Sequence, residues 1–214
     1  MARMLNNLLP RLFTPSDEQL IWRVQQQEDA VAFGELAQRW EMPIRRLCER
    51  MTGDAHKAKD LAQEVFARVF VRRMEFEPDG KFSTFLWRVA LNLCYDELRR
   101  RQRRAEFSLD ELVDDGAVAL PVDESSPSAR LEEQERGQTV RTALQRLPEH
   151  YRAVVVLRHY EDLKFREIAD VLGIPEGTVK SRMSEALDQL AVLLKEFTPP
   201  APESGTRLKQ SVCV

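Results

Sequence analysis

Cysteine is scarce and scattered: Cys48, Cys94 and Cys213 are the three present, with no CxxC pair among them. That spacing argues against a disulfide framework and a thiolate-ligated structural zinc, and it fits a cytoplasmic chain. Histidine is equally thin, and His56, His150 and His159 have no ligand spacing, so neither a metal nor a cofactor is expected. No Gly-rich phosphate loop and no Ser/His/Asp arrangement stands out, which leaves an enzyme acting on a small-molecule substrate without support. Long apolar runs are also missing. MARMLNNLLPRLF at 1–13 is mildly apolar, but it is short, interrupted by Pro10 and lacks a small-residue cleavage site. It reads as neither signal peptide nor membrane span. Nor is there a large excess of one charge, since the net is −3 over 214 residues.

What is present is 43% hydrophobic residues, enough for real cores, and an uneven distribution of charge. Residues 17–104 carry 17 Lys/Arg against 15 Asp/Glu, residues 105–129 carry seven acids and no base, and residues 130–197 carry 11 bases against 12 acids. Arg99, Arg100, Arg101, Arg103 and Arg104 concentrate the basic charge in six positions. A local basic patch on a near-neutral chain fits regulated nucleic-acid binding better than bulk coating.

The stretch KFSTFLWRVALNLCYDELRRRQRR, 81–104, organises the chain. Ser83 or Thr84 can cap a helix, and neither Pro nor Gly interrupts the residues beyond them. Leu86, Val89, Ala90 and Leu93 share one face, with Trp87, Leu91, Cys94 and Leu98 widening the apolar arc. The polar remainder is a stripe of Arg88, Asn92, Tyr95 and Arg99 at i, i+4, i+7 and i+11. Cations suit phosphate, an amide suits base edges and an aromatic ring stacks on unpaired bases. The stripe read alone is equally a solvated face ending in a basic helix terminus.

Upstream, Ser16 or Asp17 caps a helix to about Gln27, and Asp29 opens a second that Pro43 breaks or kinks before Gly53 ends it. Asp54 begins a third, to about Met74, whose outer face is Asp60, Gln63, Glu64, Ala67 and Val71. Acids and an amide beside two exposed apolar residues fit a protein partner, and a plain surface with two stray apolar residues fits nearly as well. EFEPDGK, 75–81, is a turn. Residues 105–129, acidic and aperiodic, form a linker without fixed structure of its own.

Beyond it, Val140, Ala143, Leu144 and Leu147 mark one helix, and Tyr151, Val154, Val155 and Leu157 another after Pro148. In DLKFREIADVLGIPEGTVKSRMSEALDQL, 162–190, two short helices meet at Gly173, Ile174 and Pro175 with the small Ala169 where they cross. This is a helix-turn-helix pattern. The second helix and its flanks offer Glu176, Thr178, Lys180, Ser181, Arg182 and Glu185, short donors and basic groups of the kind a recognition helix brings to a major groove. The Pro/Ser/Gly-rich tail 198–214 is expected to be disordered, and Cys213 is misplaced for a prenylation box.

The expectation is therefore an all-α protein of two small helical domains joined by a flexible acidic linker. Taken together these segments resemble a bacterial sigma factor of the extracytoplasmic-function (ECF) group of the sigma-70 family. DLAQEVFARVF (60–70) is similar to that family's polymerase-binding helix, FSTFLWRVALNLCYDELRR (82–100) to its −10 melting segment, and residues 147–187 to its −35-binding domain. The resemblance implies a loose extension at 1–16, sigma domain 2 at 17–104, a linker at 105–134, sigma domain 4 at 135–197 and a tail at 198–214. It implies that Asp60, Gln63, Glu64, Ala67 and Val71 dock on core RNA polymerase (β and β′ subunits). Asp79, Gly80, Lys81, Phe82 and Ser83 would hold an extruded −10 base, with Trp87, Arg88, Asn92, Tyr95 and Arg99 supporting strand opening. Glu176, Thr178, Lys180, Ser181, Arg182 and Glu185 would meet the −35 duplex. Promoter DNA, core polymerase and an anti-sigma factor are the partners it implies, and the linker would thread the RNA-exit path. The family often carries Arg where Glu185 stands. A free-standing helix-turn-helix regulator, dimeric on duplex DNA, fits residues 135–197 equally well but leaves the aromatic-basic helix unused.

Overall fold

The computed structural model describes residues 14–77, 79–107 and 127–197, and every regular element among them is helical. The extension at 1–13, Pro78, the acidic segment at 108–126 and the tail at 198–214 lie outside the described residues. No helix among the described residues is long and apolar enough to cross a membrane.

Helix α1 (Asp17–Gln27) starts at a capping box: Ser16 Oγ accepts from the Gln19 amide, and Gln19 Oε1 accepts from the Ser16 amide at 2.9 Å. Helix α2 (Ala30–Thr52) is capped by Asp29, whose carboxylate accepts from the Val31 and Ala32 amides at 3.0 Å and from Arg23 at 2.6 Å. The Ala32 amide first, then Arg23 and last the Val31 amide, hold the Asp29 carboxyl below the usual range. Of the break or kink expected at Pro43, the break does not occur: α2 runs on through it to Thr52. Proline removes one amide donor there, but Leu36, Ile44 and Leu47 are all buried, and packing on both sides of Pro43 outweighs the missing bond. Gly53 ends α2 at φ 75°, where a side chain would strain the backbone.

Helix α3 (Ala55–Val71) is capped by Asp54. It stops short of the expected Met74 because the chain tightens into a 3₁₀ turn at Arg73–Glu75. Gln25 of α1 secures that turn, donating to the carbonyls of Arg73 (2.7 Å) and Phe76 (2.9 Å). Helix α4 (Phe82–Phe107) completes the N-terminal half. Its core is aromatic at one end: Trp40 lies edge-on to Trp87 at 5.4 Å, and Phe82 sits between Trp40 and Phe76.

Helix α5 (Pro127–Arg146) begins within the stretch assigned to the linker. Helices α6 (Glu149–His159), α7 (Phe165–Leu172) and α8 (Glu176–Phe197) complete the C-terminal half. Gly173, at φ 66°, closes α7 through its amide to the Ala169 carbonyl at 2.8 Å. Val179, Met183 and Ala186 of α8 are buried with Ile168, Ala169 and Val171 of α7, and this is the helix-turn-helix core. Six consecutive residues of α6, Arg152 to Leu157, are buried. A helix on the outside of one body exposes part of each turn. Helix α6 exposes none there because α8 covers one side and α2 of the N-terminal half covers another.

Candidate nucleic-acid and protein interfaces

The stripe on α4 is exposed at Arg88, Asn92 and Arg99, as is Lys81 just before the helix, while Tyr95 is half-buried. Phe82 and Trp87 are 1% and 3% exposed and belong to the core, so neither ring presents a face to DNA in this structure. They fix the polar stripe by anchoring the helix that carries it. The loop before α4 is built from short contacts. Gly80 donates to the Glu77 carbonyl at 2.9 Å, and the Phe82 amide donates to Glu18 Oε1 at 3.3 Å. Asp79 is exposed at the loop's edge, and Ser83 is half-buried in the first turn of α4. Burial, with smaller contributions from Glu149 and Cys94, pushes the Tyr95 phenol up to about 12.

On α3 the outer face holds Asp60, Gln63 and Ala67 fully exposed and Glu64 half-exposed, the last paired with Arg68 at 2.9 Å. Val71, at 75% exposure, is joined by Met74, at 66%, from the 3₁₀ turn.

On α8, Lys180 is exposed and pairs with Glu176 at 2.7 Å. The Ser181 hydroxyl donates to the Thr178 carbonyl at 3.1 Å, while Thr178 and Arg182 are partly buried. Glu185 accepts from the Tyr151 hydroxyl, tying α8 to α6, and that bond raises the Tyr151 phenol. Glu185 is thus bonded within the C-terminal half. Among the described residues no cluster of His, Cys, Asp or Glu could hold a metal ion.

Arg152, which pattern reading passes over, is 6% exposed. It donates to the carbonyls of Leu144 (2.9 Å), Gln145 (2.6 Å) and Leu147 (3.0 Å), to Gln145 Oε1 (2.8 Å) and to the Met51 carbonyl. Burial pulls its guanidinium below the ordinary value, though an arginine remains charged in a protein. The available signal was an arginine set among the apolar residues of HYRAVVVL.

Comparison with known proteins matches residues 36–104 to the model of Sigma-70 region 2 and residues 137–190 to that of Sigma-70, region 4. The chain is similar to the "ECF RNA polymerase sigma factor SigW" of Bacillus subtilis, 34% identical over 175 residues, covering 79% of this chain and 92% of the relative. It is likewise similar to the "RNA polymerase sigma-H factor" of Pseudomonas aeruginosa, 37% identical over 189 residues, covering 84% and 96%. The fold resembles that of CnrH solved with the cytosolic domain of CnrY, with a TM-score of 0.63, 24% identity and coverage of 85% and 99%. It also resembles RpoE from Bartonella quintana solved with the anti-sigma factor NepR, with a TM-score of 0.61, 23% identity and coverage of 76% and 96%.

Proposed function

Because this chain belongs to the ECF group of the sigma-70 family, whose members direct promoter-specific transcription initiation, we propose that its two halves divide that task between them. Residues 17–104 hold core RNA polymerase and the −10 element, and residues 135–197 hold the −35 duplex. Asp60, Gln63, Glu64, Ala67 and Val71 form the polymerase-docking face, extended by Met74. Lys81, Arg88, Asn92, Tyr95 and Arg99 take the opened −10 strand. Phe82 and Trp87 set their positions, while Asp79, Gly80 and Ser83 shape the base-holding loop. Glu176, Thr178, Lys180, Ser181, Arg182 and Glu185 face the −35 groove, with Glu185 also bonded to Tyr151.

The observation that carries this reading is the exposed basic and amide row on α4 in the same chain as a helix-turn-helix. Duplex reading needs a helix in the major groove, and melting needs cations and an aromatic beside a held strand. Opening costs about a few kcal/mol per base step, which capture of extruded bases offsets. The chain supplies specificity to polymerase and catalyses nothing itself, and it acts in the cytoplasm. By analogy with RpoE held by NepR, an anti-sigma protein would cover these faces.

Sizing chromatography with bacterial core polymerase tests the reading. Co-elution at one-to-one stoichiometry is expected. A chain that stays apart from polymerase and shifts duplex DNA as a dimer would instead be the free-standing regulator. Lys180→Ala with Arg182→Ala is expected to weaken holoenzyme binding to −35 duplex by about tenfold or more, at about 1–3 kcal/mol per lost contact; unchanged binding in a mobility-shift titration sinks the recognition-helix assignment. Glu64→Arg would set two guanidinium groups against each other at position 68. It is expected to reduce polymerase affinity roughly tenfold by competition binding while leaving the thermal midpoint unaltered.

A further inference from the structure

Helix α1 leaves an indole in solvent. Trp22 is 52% exposed, whereas Trp40 is half-buried and Trp87 belongs to the core. Trp22, Phe76 and Pro15 are the apolar walls of a groove of about 450 Å³, within the size range of ordinary binding clefts. The polar groups along it are already engaged. Glu18 accepts from the Phe82 amide at 3.3 Å, and Gln25 donates to the carbonyls of Arg73 and Phe76. Gln19 closes the capping box with Ser16, and Arg23 donates to Asp29 at 2.6 Å. What the groove chiefly offers an occupant is therefore apolar surface, with an indole and a phenyl ring as anchors.

The chain itself supplies that occupant. Residues 1–13 precede the described part and lead through Thr14 to Pro15, which lines the groove. Pro15 is held in place, because Arg39 donates to its carbonyl at 3.2 Å. At about 3.3–3.6 Å per residue, Leu12 and Phe13 lie within roughly 10 Å of Pro15 whatever path the segment takes. The segment has seven Met, Leu and Phe among its thirteen residues: Met1, Met4, Leu5, Leu8, Leu9, Leu12 and Phe13. Its charged residues are Arg3 and Arg11, and the first turn of α1 sets Asp17 and Glu18 against them. A tether this short holds its apolar side chains at an effective concentration of about millimolar, enough to fill a weak site.

We propose that the segment before α1 folds back onto it, seating Leu12 and Phe13 against Trp22 and Phe76, and that this docking braces the loop before α4. The link to the loop is direct. Phe76 packs on Phe82 at 6.1 Å and on Phe85 at 5.9 Å between ring centroids, and Glu18 holds the Phe82 amide. An occupant pressing on Phe76 and Glu18 restrains both ends of residues 76–82. The docking holds whether or not that loop takes a DNA base.

The test uses the full chain. Leu12→Asp with Phe13→Asp removes the occupant and alters no described residue. Acrylamide quenching of tryptophan emission reads the groove. The quenching constant is expected to rise about twofold or more in the double variant, and the same pair of changes should make no difference in a Trp22→Phe background. Amide hydrogen exchange over 77–82 should quicken about threefold in the double variant, with α6 unaltered. Equal quenching of the native chain and the double variant overturns the docking, and unaltered loop exchange beside a shielded Trp22 overturns the bracing. Shielding that grows with protein concentration, with a dimer in sedimentation, overturns the proposal in favour of a second copy of the chain. Shielding that appears only once core polymerase is added overturns it in favour of that partner.

Discussion

Trp87→Ala is expected to destabilise the chain by about 3–5 kcal/mol, the range for emptying a buried aromatic site. At about 2–4 °C per kcal/mol for a chain of this size, the thermal midpoint in calorimetry falls by roughly 6–20 °C. The indole fills the space between α4 and α2, edge-on to Trp40, whose own N–H donates to Asp17 at 2.9 Å. Its removal leaves a cavity at the point where α1, α2 and α4 converge. Asn92, five residues on, sits on the exposed side of the same helix. Asn92→Ala should stay within about 0.5 kcal/mol of the native chain. It should nevertheless reduce permanganate reactivity of −10 thymines in open complexes. A Trp87→Ala chain with native stability and defective opening would move that ring from scaffold to DNA contact. An Asn92→Ala chain with full reactivity would remove the amide from the melting surface.

Arg152→Ala should cost a similar amount, about 3–5 kcal/mol in urea unfolding. The reasoning differs, because the loss is one of hydrogen bonds more than of volume. Four carbonyls, of Leu144, Gln145, Leu147 and Met51, converge on this guanidinium, and three belong to the chain's turn from α5 into α6. Without it the Gln145, Leu147 and Met51 carbonyls lose this donor, while Leu144 keeps the Leu147 amide at 3.2 Å, and each acceptor left unpaired carries a desolvation penalty. Lysine brings the charge but a single donor point, so Arg152→Lys should recover less than half the loss. A change under about 1 kcal/mol for Arg152→Ala would mean that water reaches these carbonyls and the guanidinium is dispensable.

Helices with a sharp period and a strong cap were legible from residue types. Ser16, Asp29 and Asp54 mark their starts, and Gly53 and Gly173 mark two ends, because a side-chain acceptor or a positive φ is a local requirement. Pro43 left a break and a kink both open, because its local penalty is set against the burial of Leu36, Ile44 and Leu47, which depends on the helices packed over them. The same limit applies to Phe82 and Trp87. An aromatic residue beside a basic stripe can face a base or fill a core, and sequence spacing alone does not separate the two. Their burial depends on Trp40 and Phe76, contributed by other segments. Arg152 and Gln145 were illegible because their partners include carbonyls about a hundred residues away, and a carbonyl leaves no trace in residue identity.

The buried run of α6 has a consequence for how such a chain can change over generations. The run from Ala153 to Leu157 is buried in a helix that packs on both α2 and α8, so substitutions along it are weighed against two neighbours. One that fits α8 but sits badly against α2 would leave the helix-turn-helix whole and weaken its seat on the N-terminal half. The fit between the halves can therefore drift through methyl-sized changes along this one helix, while the side chains exposed on α4 and α8 stay as they are.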